Sequence, residues 1–284
     1  MATADTADTS SAVVLLAKWP GSGASKTRLV AQLAAAAPSS GDEAARSWSA
    51  AFSRAAVSDL AARIGEAAEE HAWRCVLLYA PPVDEARSYF AALLDEIGVA
   101  GHWRLLPVLP KSDAKSADLG AILADAATRA RAACGVGRVA FLGADCPELP
   151  LRALASATRA TAEPRVAAIC PATDGGYTLL ALPEGADAAR CFAHVHWSAG
   201  DTCLSQLAAL SRAGLYCLVH ETHADVDDLE DLRALARRLN TPGAHGTPRA
   251  EAEAGEAGGA SACPRTAALL AKMSEAGALP SVVE

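Results

Sequence analysis

With 284 residues, 51% of them hydrophobic, the chain is long enough to bury one substantial core, and a single domain is the simplest division. Its formal net charge of −8 excludes the broad cationic surface that nucleic acid or an anionic membrane demands, so the expected ligand is small. No apolar stretch approaches the roughly 18 residues of a membrane helix, the first residues lack the segments of a signal peptide, and eight cysteines scattered without a C-x-x-C pair read as buried thiols rather than a disulfide set; the expected setting is reducing and cytoplasmic.

Residues 1–11 are small and polar, and are expected to be disordered. The apolar run Val13–Ala17 predicts a strand, and this strand leads into the most telling segment of the chain. Between Ala17 and Leu29 stand Lys18, Lys26 and Arg28 together with Gly21 and Gly23. Glycines let a backbone bend and come close to a ligand, and cations at the start of a helix add to the field that its free N–H groups already present to an anion. A polyphosphate-binding loop is the expectation, with Thr27 among its residues. A Walker A loop is the rival, but it requires glycine where Pro20 and Ser25 stand. A cationic turn that merely caps a helix is the bland alternative.

Apolar spacing of three and four then predicts helices over 26–36, 43–63, 84–98, 116–133, 151–160, 201–212 and 229–239, alternating with strands over 75–79, 103–107, 139–143, 166–170, 177–182 and 215–219. Such alternation implies right-handed crossovers and an α/β architecture, a mainly parallel twisted sheet with helices on both faces. Ligands of such sheets sit at the carboxyl ends of the strands. The domain is expected to span 12–239. From 240 to 284 the composition is low in complexity and expected to be mostly disordered, with Ala267–Met273 able to form a short helix of unassigned position.

Three further segments fall at strand ends. Val139–Gly143 runs into Asp145, a carboxylate just outside the sheet edge; as a hard oxygen donor it suits Mg²⁺ or Mn²⁺, although capping the next helix is an alternative. After the strand 166–170 comes Asp174-Gly175-Gly176-Tyr177, either a plain hairpin turn or a loop in which Asp174 holds an acceptor hydroxyl and the glycines make room. Ser198 and Asp228 read equally well as helix caps. Asp227, before the last predicted helix, could bring a second carboxylate to a cation held by Asp145.

Taken in order, A-K-x-P-x-x-G-x-x-K-T-R-L (17–29), D-L-G (118–120), L-G-A-D-C-P-E-L (142–149), D-G-G-Y (174–177), W-S (197–198) and D-V-D-x-x-E-D-L (225–232) resemble the glycosyltransferase-A-like transferase family found alongside radical-SAM and selenodomain genes. The resemblance implies a nucleotide-diphospho-sugar transferase (GT-A) fold. It implies that Lys18, Gly21, Gly23, Lys26, Thr27, Arg28 and Asp118 contact a nucleotide, that Gly175, Gly176, Tyr177, Trp197 and Ser198 line the substrate site, and that Asp145 and Asp227 hold Mg²⁺ or Mn²⁺, with Asp174 as a catalytic base. The implied activity is nucleotidyl or glycosyl transfer from a nucleoside triphosphate or nucleotide sugar to a small acceptor. Where the family has glutamine and glycine before D-L-G, this chain has Lys115-Ser116-Ala117, and it lacks the arginine that the family places shortly after, which keeps a nucleotide-binding module without turnover in view.

Overall fold

The computed structural model describes residues 10–22, 25–37, 41–109, 118–240 and 262–279. Seven strands, β1 (Ser11–Lys18), β2 (Trp73–Ala80), β3 (Trp103–Pro107), β4 (Arg138–Gly143), β5 (Val166–Pro171), β6 (Tyr177–Leu182) and β7 (Tyr216–Val219), form one sheet in the order β3-β2-β1-β4-β6-β5-β7. β1 lies parallel to both β2 and β4, and β5 lies parallel to β7. Among the described strands, β6 alone runs against its neighbours. Its connection from β5 is the short turn closed by Ala172 and Gly176, whose backbones bond at 2.9 Å; a parallel return needs a crossover of about a dozen residues. The Asp174-Gly-Gly segment is therefore a hairpin turn, and because β5 is parallel to β4 the turn still opens at the carboxyl edge.

The helices are α1 (Thr27–Ala36), α2 (Gly41–Glu66), α3 (Asp84–Glu96), α4 (Leu119–Cys134), α5 (Leu151–Ala160), α6 (Ala188–Cys191), α7 (Thr202–Arg212), α8 (Leu229–Asn240) and α9 (Pro264–Glu275). Side chains alternate across β1. Val13 and Leu15 pack with Leu60 of α2, Phe90 of α3 and Leu154 of α5 on one face. Ala12 and Val14 pack with Leu123 of α4 and Leu210 of α7 on the other. Covering on both faces explains why β1 and β4 read as unbroken apolar runs instead of alternating patterns. No helix among the described residues is long and apolar enough to cross a membrane, and all eight cysteines are free thiols.

A third apolar cluster lies beside the sheet, where Leu29 and Leu33 of α1, Phe52 of α2, and Leu232 and Leu235 of α8 meet Leu270 and Met273 of α9. Composition places α9 in a mostly disordered tail, yet its apolar side is as buried as the core. Its first turn is held by Asp59 of α2, fully enclosed: the Arg265 and Thr266 N–H groups donate to the two carboxylate oxygens at 3.1 and 2.8 Å. A carboxylate at a helix start satisfies N–H groups that have no partner within the helix. This contact joins residues more than 200 positions apart, so no local pattern announces it.

Candidate functional site

The carboxyl ends of β1, β4 and β5 meet at one edge of the sheet, and there an open crevice of about 550 Å³ is lined by Arg28, Asp145, Asp174, Asp225 and Asp227 with Tyr177, Trp197 and Ser198. Backbone pairing assembles it. The segment before α8 runs past the end of β5, where His223 N–H donates to Pro171 O and Thr173 N–H donates to His223 O. It then reaches the loop after β4, where Val226 N–H donates to Asp145 O at 2.9 Å. That bond sets Asp227 beside Asp145. Asp228 is a cap: its Oδ1 accepts from the Glu230 and Asp231 N–H groups, while Asp231 accepts from Asp227 and Asp228.

Lys26 comes from the other end of the chain. Its ammonium reaches Asp145 Oδ1 and the Val226 carbonyl, each at 2.5 Å, with the side chain only 7% exposed. Arg28 is exposed at the crevice mouth, 3.9 Å from Asp227. Asp145 is thus not a helix cap; α5 starts after Pro150, and the carboxylate is turned to the lysine. The reading of Lys26 as the lysine of a Walker loop falls with the fold, since the sheet order and the antiparallel β6 are those of a different architecture.

The cluster holds more negative than positive charge. Burial, and after it the negative charge of Asp174, pushes Asp225 up to about 6, with Asp227 and Asp145 adding to the rise. Burial also raises Asp227, opposed by Lys26 and Arg28 and reinforced by Asp145. Because the folded-state value of Asp225 lies above its unfolded one, the stability it affects is fully present below the ordinary carboxylate range and is lost as pH rises through about 6. Asp225→Asn is therefore expected to stabilise the cation-free protein by about 1 kcal/mol at pH 7.5, a figure discounted for partial exposure. Urea unfolding in chelator should show that gain, and repeating it at pH 4.5 should show it much reduced. Motif reading gives Asp225 no role; its place in D-V-D, one strand period from Asp227, is the signal that points to it.

The opposite wall is shaped by close packing. Trp197 lies 6.4 Å from the Tyr177 ring and the same distance from Phe192, and the Tyr177 hydroxyl is taken up by Gln206. Burial drives the tyrosine's pKa well above its usual value, and its side chain forms part of the crevice wall. Gly175 has φ +91°, and a Cβ there would lie 2.0 Å from the Gly200 carbonyl oxygen. Gly175→Ala is expected to cost about 3 kcal/mol, strain and backbone overlap together. Gly214→Ala is the control: φ is +81° but nothing stands within 4 Å, so it should lose only about 1 kcal/mol. Chemical denaturation of the pair separates the two causes. Gly120 of D-L-G is a further residue to which the motif alone assigns no role. Its Cβ would stand 2.7 Å from Phe192 O, so glycine lets α4 approach this wall.

Several expected residues are not brought to the crevice. Asp118 caps α4 by accepting from Gly120 N–H at 3.0 Å. Gly21 lies against Trp19, whose ring a Cβ would meet at 2.5 Å. Thr27 faces a separate cavity between α1 and α2 with Asp42 and Arg46, because helical geometry turns it away from Arg28. Lys18 is exposed at the end of β1 and does not line the crevice. Ser198, φ +58°, lines the crevice and does not cap α7, whose first turn is tied through Thr202. Asp174 does line it, exposed, with Oδ1 accepting from Gly176 N–H at 2.7 Å. Gly23 and the variant segment 115–117 lie outside the described residues.

No group of three or more His, Cys, Asp or Glu side chains among the described residues has the geometry of a metal site. The two hard carboxylates Asp145 and Asp227 nevertheless fit Mg²⁺ or Mn²⁺, which commonly take one or two protein carboxylates and complete their shell with water and phosphate oxygens.

Residues 63–199 match the family model described as an uncharacterized protein conserved in bacteria, DUF2064. No curated protein matches the sequence at a significant level. Among solved structures, a provisionally assigned nucleotide-diphospho-sugar transferase from Desulfovibrio desulfuricans G20 is similar at a TM-score of 0.67 and 21% identity, covering 94% of this chain and 96% of its own. A cytidylyltransferase from Leptospira borgpetersenii is similar at a TM-score of 0.50 and 9% identity, covering 96% of this chain and 98% of its own. The match to DUF2064 covers residues 63–199, and the fold of the chain is that of the nucleotide-diphospho-sugar transferases.

Proposed function

We propose that the crevice binds the polyphosphate of a nucleoside triphosphate or nucleotide sugar together with Mg²⁺ or Mn²⁺, and that the protein transfers a nucleotidyl or glycosyl group to a small acceptor. The observation that carries this reading is the meeting of Lys26 and Arg28 with Asp145 and Asp227, from distant parts of the chain, at the carboxyl edge of the sheet. Ligands of open α/β sheets occupy that edge. The similar structures, named as a nucleotide-diphospho-sugar transferase and a cytidylyltransferase, support the same chemistry.

In this reading Arg28, exposed and planar, takes the polyphosphate oxygens in a fork, and Asp145 and Asp227 hold the cation. The cation would neutralise charge that builds on the phosphate oxygens during transfer. Trp197, Ser198 and the Gly175-Gly176-Tyr177 turn bound the space for the transferred group. In nucleotidyl transfer an acceptor oxygen attacks the α-phosphorus and pyrophosphate leaves, a step that asks the protein mainly for alignment. In glycosyl transfer an acceptor hydroxyl attacks the anomeric carbon, the nucleoside diphosphate leaves, and Asp174 takes the hydroxyl proton on the oxygen not engaged by Gly176. The partners are a nucleotide and a small acceptor, in the cytoplasm, with no nucleic acid or membrane.

The test is incubation with Mg²⁺ or Mn²⁺ and a panel of sugar phosphates and other small acceptors, supplied with each nucleoside triphosphate or, in separate reactions, with nucleotide sugars. Pyrophosphate release identifies nucleotidyl transfer; consumption of a nucleotide sugar without pyrophosphate identifies glycosyl transfer. Cation-dependent nucleotide binding by calorimetry with no product under any pairing would instead establish the binding module, and the absence of both binding and product would overturn the proposal.

A further inference from the structure

Resting on the cation site proposed above, we infer that Lys26 is the resident counter-ion of that site and that a divalent cation enters only by displacing its ammonium. Three observations converge on this lysine. Its ammonium is already bonded to Asp145 Oδ1 and to the Val226 carbonyl. The side chain is only 7% exposed and the ammonium also lies 5.6 Å from the centre of the Phe52 ring, in a pocket that encloses a positive charge. The backbone at Lys26 has φ +48°, ψ +48°, a left-handed conformation that costs a side-chain-bearing residue energy and persists where the surroundings impose it.

The consequence is competition. A cation bound to the Asp145 carboxylate and the lysine ammonium bonded to that same carboxylate would stand within a few ångströms of each other, too close for like charges in a partly buried site. One must leave. The displaced side chain sits at the start of α1, two residues before Arg28, so the cation that expels it also frees an ammonium for the polyphosphate. Binding of cation and of phosphate are thereby coupled through one side chain, and the cation-free protein keeps its acidic cluster partly neutralised.

Calorimetric titration with Mn²⁺ alone tests this. Lys26→Met, which keeps the length and apolar stem of the side chain, is expected to bind Mn²⁺ at least ~10-fold more tightly than the parent, because nothing has to be expelled. Binding by Lys26→Met where the parent binds nothing measurable supports the same conclusion. Equal or weaker affinity in the variant overturns the displacement while leaving the cation site standing; no Mn²⁺ binding by either protein removes the site itself, and the inference with it. Should Lys26→Met fail to fold, the parent protein supplies an independent readout. Acetylation of Lys26 by an amine-reactive ester, followed by mass spectrometry, should rise several-fold on adding Mn²⁺ as the ammonium leaves its enclosure, and an unchanged or lower labelling overturns the inference.

Discussion

Asp145→Asn is expected to lower cation-dependent product formation by about 10³-fold, in whichever of the two transfer assays the parent is active, and to weaken Mn²⁺ binding at least ~10-fold. Removing one group that stabilises developing charge typically costs about 10²–10³ in rate, about 3–4 kcal/mol. Asp145 stands at the upper end because it meets the candidate cation, Lys26 and, through its carbonyl, the segment carrying Asp227. The fold should survive. Asp145 is half exposed, so losing its ion pair is expected to cost about 1 kcal/mol, well below the figure for a fully enclosed pair. Calorimetry with Mn²⁺ and a denaturation curve separate the two effects. Unchanged Mn²⁺ affinity and full turnover in the variant would remove Asp145 from the site.

Deleting everything after Asn240 is expected to destabilise the domain by about 5 kcal/mol or more and to expose a surface that drives aggregation. The deletion removes Leu270 and Met273, both buried in the third cluster; each such side chain contributes about 1.5–3 kcal/mol. It also strips Asp59 of its partners, since this unexposed carboxylate bonds, among the described residues, to the start of α9. Leaving an enclosed carboxylate unpaired costs about 3–5 kcal/mol. The aligned apolar side of α8, Leu232, Leu235 and Leu239, would then face water. Urea unfolding of the shortened protein gives the stability, and light scattering reports the association. A midpoint equal to that of the full chain would show that α9 adds nothing.

Regular structure was legible in the sequence because it is encoded locally. The strands 103–107 and 177–182 and the helix 151–160 lie within the bounds their patterns indicate, since a short apolar run marks a strand covered on both faces and three-four spacing marks one buried helix face. The chemistry at the strand ends was legible for a related reason. Asp145, Asp174 and Arg28 stand where apolar runs give way to polar loops, and parallel strands deliver such loops to one edge. Asp118 and Thr27 show the limit of that reasoning: each stands in the right loop, yet a cap bond and the turn of a helix direct them elsewhere.

What the sequence by itself determined is therefore the α/β fold, its mainly parallel sheet, and the delivery of Arg28, Asp145, Asp174 and Asp227 to its carboxyl edge. Only the tertiary structure decided that Asp225 joins them, that Lys26 is seated on Asp145, that Gly175 and Gly120 serve close backbone approach, and that α9 belongs to the core through Asp59. The division has one physical cause. Periodicity and turn chemistry act over a few residues and leave their mark on neighbouring letters, whereas desolvation, charge pairing and steric contact depend on which distant segments come within a few ångströms of each other.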